Sequence, residues 1–315
     1  MKPVHYPVLH REVLEYLEPK SPEDILVDGT LGEGGHTELF LSRFPRLKVI
    51  GVETDPVMLE RAKERLRSYH ERVTFWNGWF DEFFLHYRQE TGLDRQPGMI
   101  LLDLGISTFH LKQSGRGFSF QGDEPLDMRL GKNSGLTASE VLNRYPLEDL
   151  VSVFSCYGEE RYSKRIARAV VKKRDLEPFT TTAQFRDTVE SAVPPQYRRG
   201  PIHPATKCFQ ALRIEVNREL DRLEAALAAA FNTLSPGGRF GVISFHSLED
   251  RKVKHFFREM ARKCTCPPEE PKCVCGGIPR ASLITRKPVR PGETEIRENP
   301  ASRSAKLRVL EKEEQ

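Results

Sequence analysis

The stretch DGTLGEGGHTELF, residues 28–40, directly follows the apolar run Ile25-Leu26-Val27. An apolar run, a glycine-rich turn and then a helical pattern predict a β–turn–α unit, the first unit of a doubly wound sheet. Such turns usually cradle a nucleotide. This one reads G-x-x-G-x-G-G, which is neither G-x-G-x-x-G nor a phosphate loop ending in G-K-[ST]. Phosphate loops favour positive neighbours. Here Asp28 opens the turn and Glu33 sits inside it. A cationic, phosphate-free nucleoside such as S-adenosylmethionine fits these acids better, and the glycines let backbone approach it closely.

The units repeat. Lys48–Val52 is a second predicted strand, ended by Glu53, nineteen residues after Gly34. An acid at that distance suits a ribose diol. A helix is expected from Pro56 to about Tyr69, a third strand at Val73–Trp76 and a fourth at Met99–Leu102, ended by Asp103. The ends of strands one, two and four would line one crevice. From about Gly105 to Ala205 strand signals fade. Helices are expected near 138–145, 147–157, 159–174 and 182–192, two of them opened by the capping boxes Thr137–Glu140 and Thr181–Gln184. One long helix is then expected over Phe209–Leu234, a fifth strand at Arg239–Phe245 and a further helix at Leu248–Lys263. Ser282–Thr285 and Lys306–Leu310 read as a closing hairpin. The predicted architecture is an α/β sheet domain, 1–105 with 206–315, interrupted by a helical insert at 106–205.

Composition bounds the rest. The 315 residues carry a formal net charge of +4, permissive of a nucleic-acid partner and no more. Six cysteines in this length do not resemble a secreted disulfide scaffold. No signal-peptide core and no run long enough to span a membrane are seen. A reduced, cytoplasmic protein without a membrane partner is expected.

Six segments, DGTLGEGGHT, ILLDLGIS, RGFSFQGDEPLDMRL, YGEERYSKRIARAV, HPATKCFQALRIEVN and PGGRFGVISFHSLEDRKVK, occur in that order. Together they resemble the bacterial small-subunit ribosomal RNA methyltransferase H family, from about His5 to Leu310. The resemblance implies a class I S-adenosylmethionine-dependent methyltransferase fold with an inserted helical domain. It also implies methylation of a cytidine N4 amine in the decoding region of 16S rRNA within the small ribosomal subunit. Carried over by position, it places cofactor contacts at Gly34, Gly35, His36, Glu53, Phe80, Asp103 and His110. The family often has Asp where Glu53 stands and Gln where His110 stands. A rival of the same fold would act on DNA or another RNA. A rival of another class is a non-catalytic RNA-binding assembly factor. A dinucleotide dehydrogenase is disfavoured by the missing G-x-G-x-x-G.

Many amino-methylating enzymes follow the strand-four acid with Pro-Pro-aromatic. This chain has Asp103-Leu-Gly-Ile-Ser107, so Asp103 reads either as a cofactor contact and strand-end cap or as the catalytic acceptor. His246, after strand five, reads either as a base-contacting or proton-accepting residue or as part of a capping cluster in which Ser247 or Asp250 caps the next helix. Arg161, Arg165, Arg168 and Lys172 would form one stripe of a helix, either merely solvated or gripping rRNA phosphates. Cys264, Cys266, Cys273 and Cys275 give C-x-C-x6-C-x-C, either a zinc site or reduced loop thiols; metal analysis of the purified protein separates these.

Overall fold

The computed structural model describes residues 7–131, 135–264, 266, 270–272, 274 and 277–314. The chain divides into two compact units, 1–105 with 222–315, and 106–221.

The first unit is built on a sheet. Its strands are β1 (Ile25–Asp28), β2 (Lys48–Glu53), β3 (Val73–Asn77), β4 (Met99–Asp103), β5 (Arg239–Ser244), β6 (Ala281–Leu283) and β7 (Lys306–Lys312). Among the described residues the order is β3-β2-β1-β4-β5-β7-β6. The pairs from β3 through β5 are parallel; β7 runs antiparallel to both β5 and β6. The expected closing hairpin is thus present. The sheet is apolar on both faces: Ile25, Val27, Ile100, Leu102 and Val242 pack into one core, and Leu26, Val49, Met99, Leu101 and Ile243 into the other. That two-sided burial is why these strands read as continuous apolar runs rather than alternating ones. The order reverses between β1 and β4, so a crevice opens at their carboxyl ends.

The second unit is helical. Helices Ala138–Arg144, Leu147–Ser152, Ser163–Arg174, Thr182–Ala192 and Ala205–Asn217 surround Phe154, Phe179, Phe185 and Phe209. Both predicted capping boxes form. The Asn217 side chain, nearly fully buried, donates to the Met128 carbonyl at 2.8 Å and accepts from the Leu130 N–H at 2.9 Å, which fastens the 115–131 loop to the last helix.

Two expectations change. The single helix expected over 209–234 is two helices, Ala205–Asn217 and Glu219–Thr233, separated by Arg218 in the left-handed region at φ 51°. No glycine or proline marks that break. The second unit accordingly runs through Asp221 rather than stopping at 205. The helix expected over 159–174 starts only at Ser163, because Glu159 has φ 46° and the chain turns there. Arg161 therefore lies before the helix and off the predicted stripe.

Candidate functional site

The glycine turn is tied to strands on both sides. The Gly29 N–H donates to the Leu101 carbonyl of β4, and the Leu31 N–H to the Val52 carbonyl of β2. Gly32 and Gly34 have φ of 57° and 78°, where an L side chain is strained. Gly34 caps the Gly35–Arg43 helix with no side-chain bond. A helix N-terminus without a side-chain cap presents its first-turn amides, which suit an anionic group.

The two acids that argued for a cationic ligand are otherwise engaged. Asp28 is 2% exposed; it accepts from the Thr37 hydroxyl at 2.8 Å and the Thr30 N–H at 3.4 Å. Burial holds its carboxyl above the ordinary value, opposed by His36 and Thr37. Glu33 forms a surface ion pair with Arg61 at 2.8 Å. Asp28 is a brace and Glu33 a surface charge, which leaves Glu53 and Asp103 as the acids at the ends of β2 and β4.

Glu53 ends β2, half-buried. Its Oε2 accepts the Gly32 N–H at 2.8 Å and its Oε1 the Asp55 N–H at 2.7 Å. These bonds fix the carboxylate plane and leave each oxygen a second lone pair. Burial nonetheless pushes the carboxyl up to about 7, against the lowering effect of both amides. Asp103 ends β4, and its N–H donates to Thr30 Oγ1 at 2.6 Å. His36 is 5% exposed, with Nε2 3.5 Å from Asp103 Oδ2. Both His36 ring nitrogens and Asp103 Oδ1 are buried without a hydrogen-bond partner among the described residues. Buried polar atoms are seldom left open. Here three belong to two neighbouring side chains beside an uncapped helix terminus, which fits a polar ligand with donors and acceptors.

The structure therefore brings Gly34, Gly35, His36, Glu53 and Asp103 to the carboxyl ends of β1, β2 and β4. Phe80 opens the short helix after β3, half-buried against the core. His110 belongs to the second unit. It closes a capping box with Ser107 and packs on Phe118, ring centroids 5.3 Å apart. Sequence reasoning missed Thr30 and Thr37, which bind Asp103 and Asp28. Their partners lie 73 and 9 residues away, so no local signal reveals them.

His246 follows β5, in which Ile243 pairs with Asp103. It is itself the cap of the Ser247–Met260 helix: its Nδ1 accepts the Glu249 N–H at 3.4 Å, and Glu249 accepts the His246 N–H at 3.2 Å. The cap position thus falls on His246 rather than on the expected Ser247 or Asp250. Asp250 instead pairs with Arg308 at 2.7 Å and Lys306 at 3.0 Å on β7. An amide can only donate, so Nδ1 accepts and the neutral ring carries its proton on Nε2. Nε2 lies 3.1 Å from Glu249 Oε1. In that tautomer Nε2–H is a donor.

In the second unit Arg165, Arg168 and Lys172 are exposed on the Ser163–Arg174 helix, while Ile166, Ala167 and Val170 are buried. Cys264 and Cys266 are half-buried, and the Val274 N–H reaches Cys266 Sγ at 3.2 Å. Cys273 and Cys275, the other half of the predicted zinc site, lie outside the described residues.

A parallel sheet of this order with an antiparallel last strand, a glycine turn after β1 and acids ending β2 and β4 define a class I methyltransferase fold. A family model described as the MraW methylase family matches residues 2–313. The chain belongs to that family. The ribosomal RNA small subunit methyltransferase H of Treponema denticola is 54% identical to it over 312 residues, covering 99% of this chain and 98% of its own. The proteins of the same name from Treponema pallidum and Heliobacterium modesticaldum are each 47% identical. They cover 98% of this chain, and 92% and 98% of their own lengths. Among the described residues no helix is long and apolar enough to cross a membrane.

Proposed function

We propose that the chain transfers a methyl group from S-adenosylmethionine to the N4 amine of a cytidine in the decoding region of 16S rRNA, acting on the small ribosomal subunit in the cytoplasm. The observation that supports the transferase reading is the set of buried polar atoms without hydrogen-bond partners on His36 and Asp103, together with the oriented Glu53 carboxylate. The names of the relatives support rRNA as substrate; the cytidine amine rests on the family resemblance.

The sulfonium donor supplies an already activated methyl group, so the chain's task is positioning. Glu53 accepts the two ribose hydroxyls. Phe80 covers the adenine. The uncapped amides from Gly35 onward hold the carboxylate of the donor, and His36 adds a ring nitrogen. Asp103 takes the donor's ammonium group. Its second role is to accept an N–H of the target amine, whose lone pair is otherwise delocalised into the ring, and to take that proton as the methyl group leaves the sulfonium as a thioether. His246 donates from Nε2 to the base. Methyl transfer from labelled S-adenosylmethionine to subunits lacking the modification, with the nucleoside product identified, tests the proposal. A labelled product other than N4-methylated cytidine refutes the stated target.

The cap at His246 gives a clean separation of roles. His246→Asn keeps a capping acceptor, whereas His246→Ala loses it at about 1 kcal/mol, read as a lowered thermal midpoint. Turnover should fall in both variants with donor affinity unchanged. Full turnover in His246→Asn would show that the residue only caps.

Arg165 and Arg168 are read as phosphate contacts. Reversing both to Glu should weaken RNA binding and reduce the slope of log affinity against log salt by about 0.7 per lost contact for a single strand. Unaltered binding and slope would remove this helix from the interface.

A further inference from the structure

We propose that Arg161, Tyr162 and Tyr197 form a stacking platform for one unpaired base of an RNA strand, whose phosphates run along the exposed cations of the Ser163–Arg174 helix. The proposal rests on the RNA reading above and deepens it by naming where in the second unit a base is held. Displaced from the helix, Arg161 lies with its Cζ 4.6 Å from the Tyr162 ring centroid and 5.6 Å from that of Tyr197. Its guanidinium also donates to the Tyr162 hydroxyl. The two rings meet edge to face, centroids 4.9 Å apart.

A buried carboxylate builds this cluster. Glu160 is 2% exposed; its Oε1 accepts the Tyr162 N–H at 2.8 Å and its Oε2 the Tyr197 hydroxyl at 2.7 Å. Desolvation, with Glu160 second, holds the Tyr197 phenol above its ordinary value, so the ring stays neutral. The acid is turned inward, spent on two donors. Arg161 is exposed, as are Lys164, Arg165, Arg168 and Lys172 beyond it, and none of the five forms an ion pair among the described residues. A row of cations without acidic partners is complementary to a phosphate backbone. A guanidinium plane backed by two aromatic rings is a surface on which an unstacked base packs. Bases in a duplex are already stacked and cannot use it.

The test compares a fluorescently labelled single-stranded RNA of mixed sequence with its duplex, titrated into the full chain over a range of salt. Arg161→Lys keeps the charge and removes the planar stack; the site is exposed, so folding is not at risk. Single-strand affinity should fall about five-fold or more, with an unchanged salt slope and an unchanged duplex affinity. Tyr162→Leu should reproduce the loss, while Arg165→Glu with Arg168→Glu should weaken strand and duplex together. Wild-type single-strand affinity in Arg161→Lys overturns the platform and leaves the RNA reading standing. Equal losses on strand and duplex also overturn it, because they signal a phosphate contact. A wild-type chain that binds neither RNA overturns both.

Discussion

Replacing Asp103 with alanine should lower kcat/KM for methyl transfer about a hundred-fold. The carboxylate sits at the end of β4 with Oδ1 buried and open and Oδ2 3.5 Å from His36 Nε2. A hydrogen bond to a charged group is worth about 1.5–3 kcal/mol, and 3 kcal/mol is about 150-fold. Most of the loss should appear as weaker donor binding, measured by calorimetry, because the proposed function gives Asp103 the donor's ammonium group. A fall in single-turnover rate at saturating donor would add the direct role toward the target amine. Folding should be spared. Apart from the His36 contact, the links of Asp103 to the fold are backbone links, to Thr30 and to the neighbouring strands. Removing a buried carboxylate oxygen that lacks a partner relieves a cost in the free protein, so the thermal midpoint should hold or rise. A variant that melts early while binding donor normally would make Asp103 a structural cap and nothing more.

Nucleoside affinity should be about ten-fold tighter at pH 8 than at pH 6, through Glu53. Burial pushes that carboxyl up to about 7. At pH 6 roughly a tenth of it is ionised in the free protein, and at pH 8 nearly all. The proposed function has the carboxylate bind the ribose diol, so binding should release a proton below pH 7 and the affinity should level off above it. Adenosine is the suitable probe, since it carries the ribose and no group titrating in this window. Glu53→Gln should bind more weakly at pH 8 and show no slope between pH 6 and 8, which separates Glu53 from the nearby Asp28 and His36. Stability runs the other way. A carboxyl raised in the folded state binds its proton more tightly folded than unfolded. Its contribution is present at low pH and is lost as pH rises from about 4.5 to about 7. The wild-type thermal midpoint should therefore fall as pH rises through this window, a slope absent from Glu53→Gln, whose NH2 also cannot accept one of the two backbone N–H groups. A wild-type adenosine affinity flat across pH 6–8 would sink the assignment.

The closing pair of strands shows how well apolar patterning carries over. Leu307, Val309 and Leu310 are buried in β7, and the hairpin forms where the tail reads as strand. The break at Arg218 shows the opposite case. Residues 205–233 have helical periodicity throughout, with no glycine or proline between Asn217 and Glu219. A left-handed arginine is held there by the contacts of its neighbours, and Asn217, with three bonds to backbone, is the nearest of them. Those partners are up to 89 residues away, and no local window contains them. The start of the helix at Ser163 is similar. Glu160 is an ordinary charged residue in sequence and a buried brace in the fold.

DGTLGEGGHT sharpens the same division. By itself the sequence determined the strand–turn–helix unit, the acids ending β2 and β4 and the exclusion of a phosphate loop. These depend on residue type and spacing along one stretch of chain. The tertiary structure decided which acids face the crevice. It folded Asp28 inward onto Thr37, sent Glu33 to the surface with Arg61, and left Glu53 and Asp103 at the strand ends. The physical reason is that a carboxylate's role is set by the donors it finds, and those donors come from strands and helices far apart in sequence.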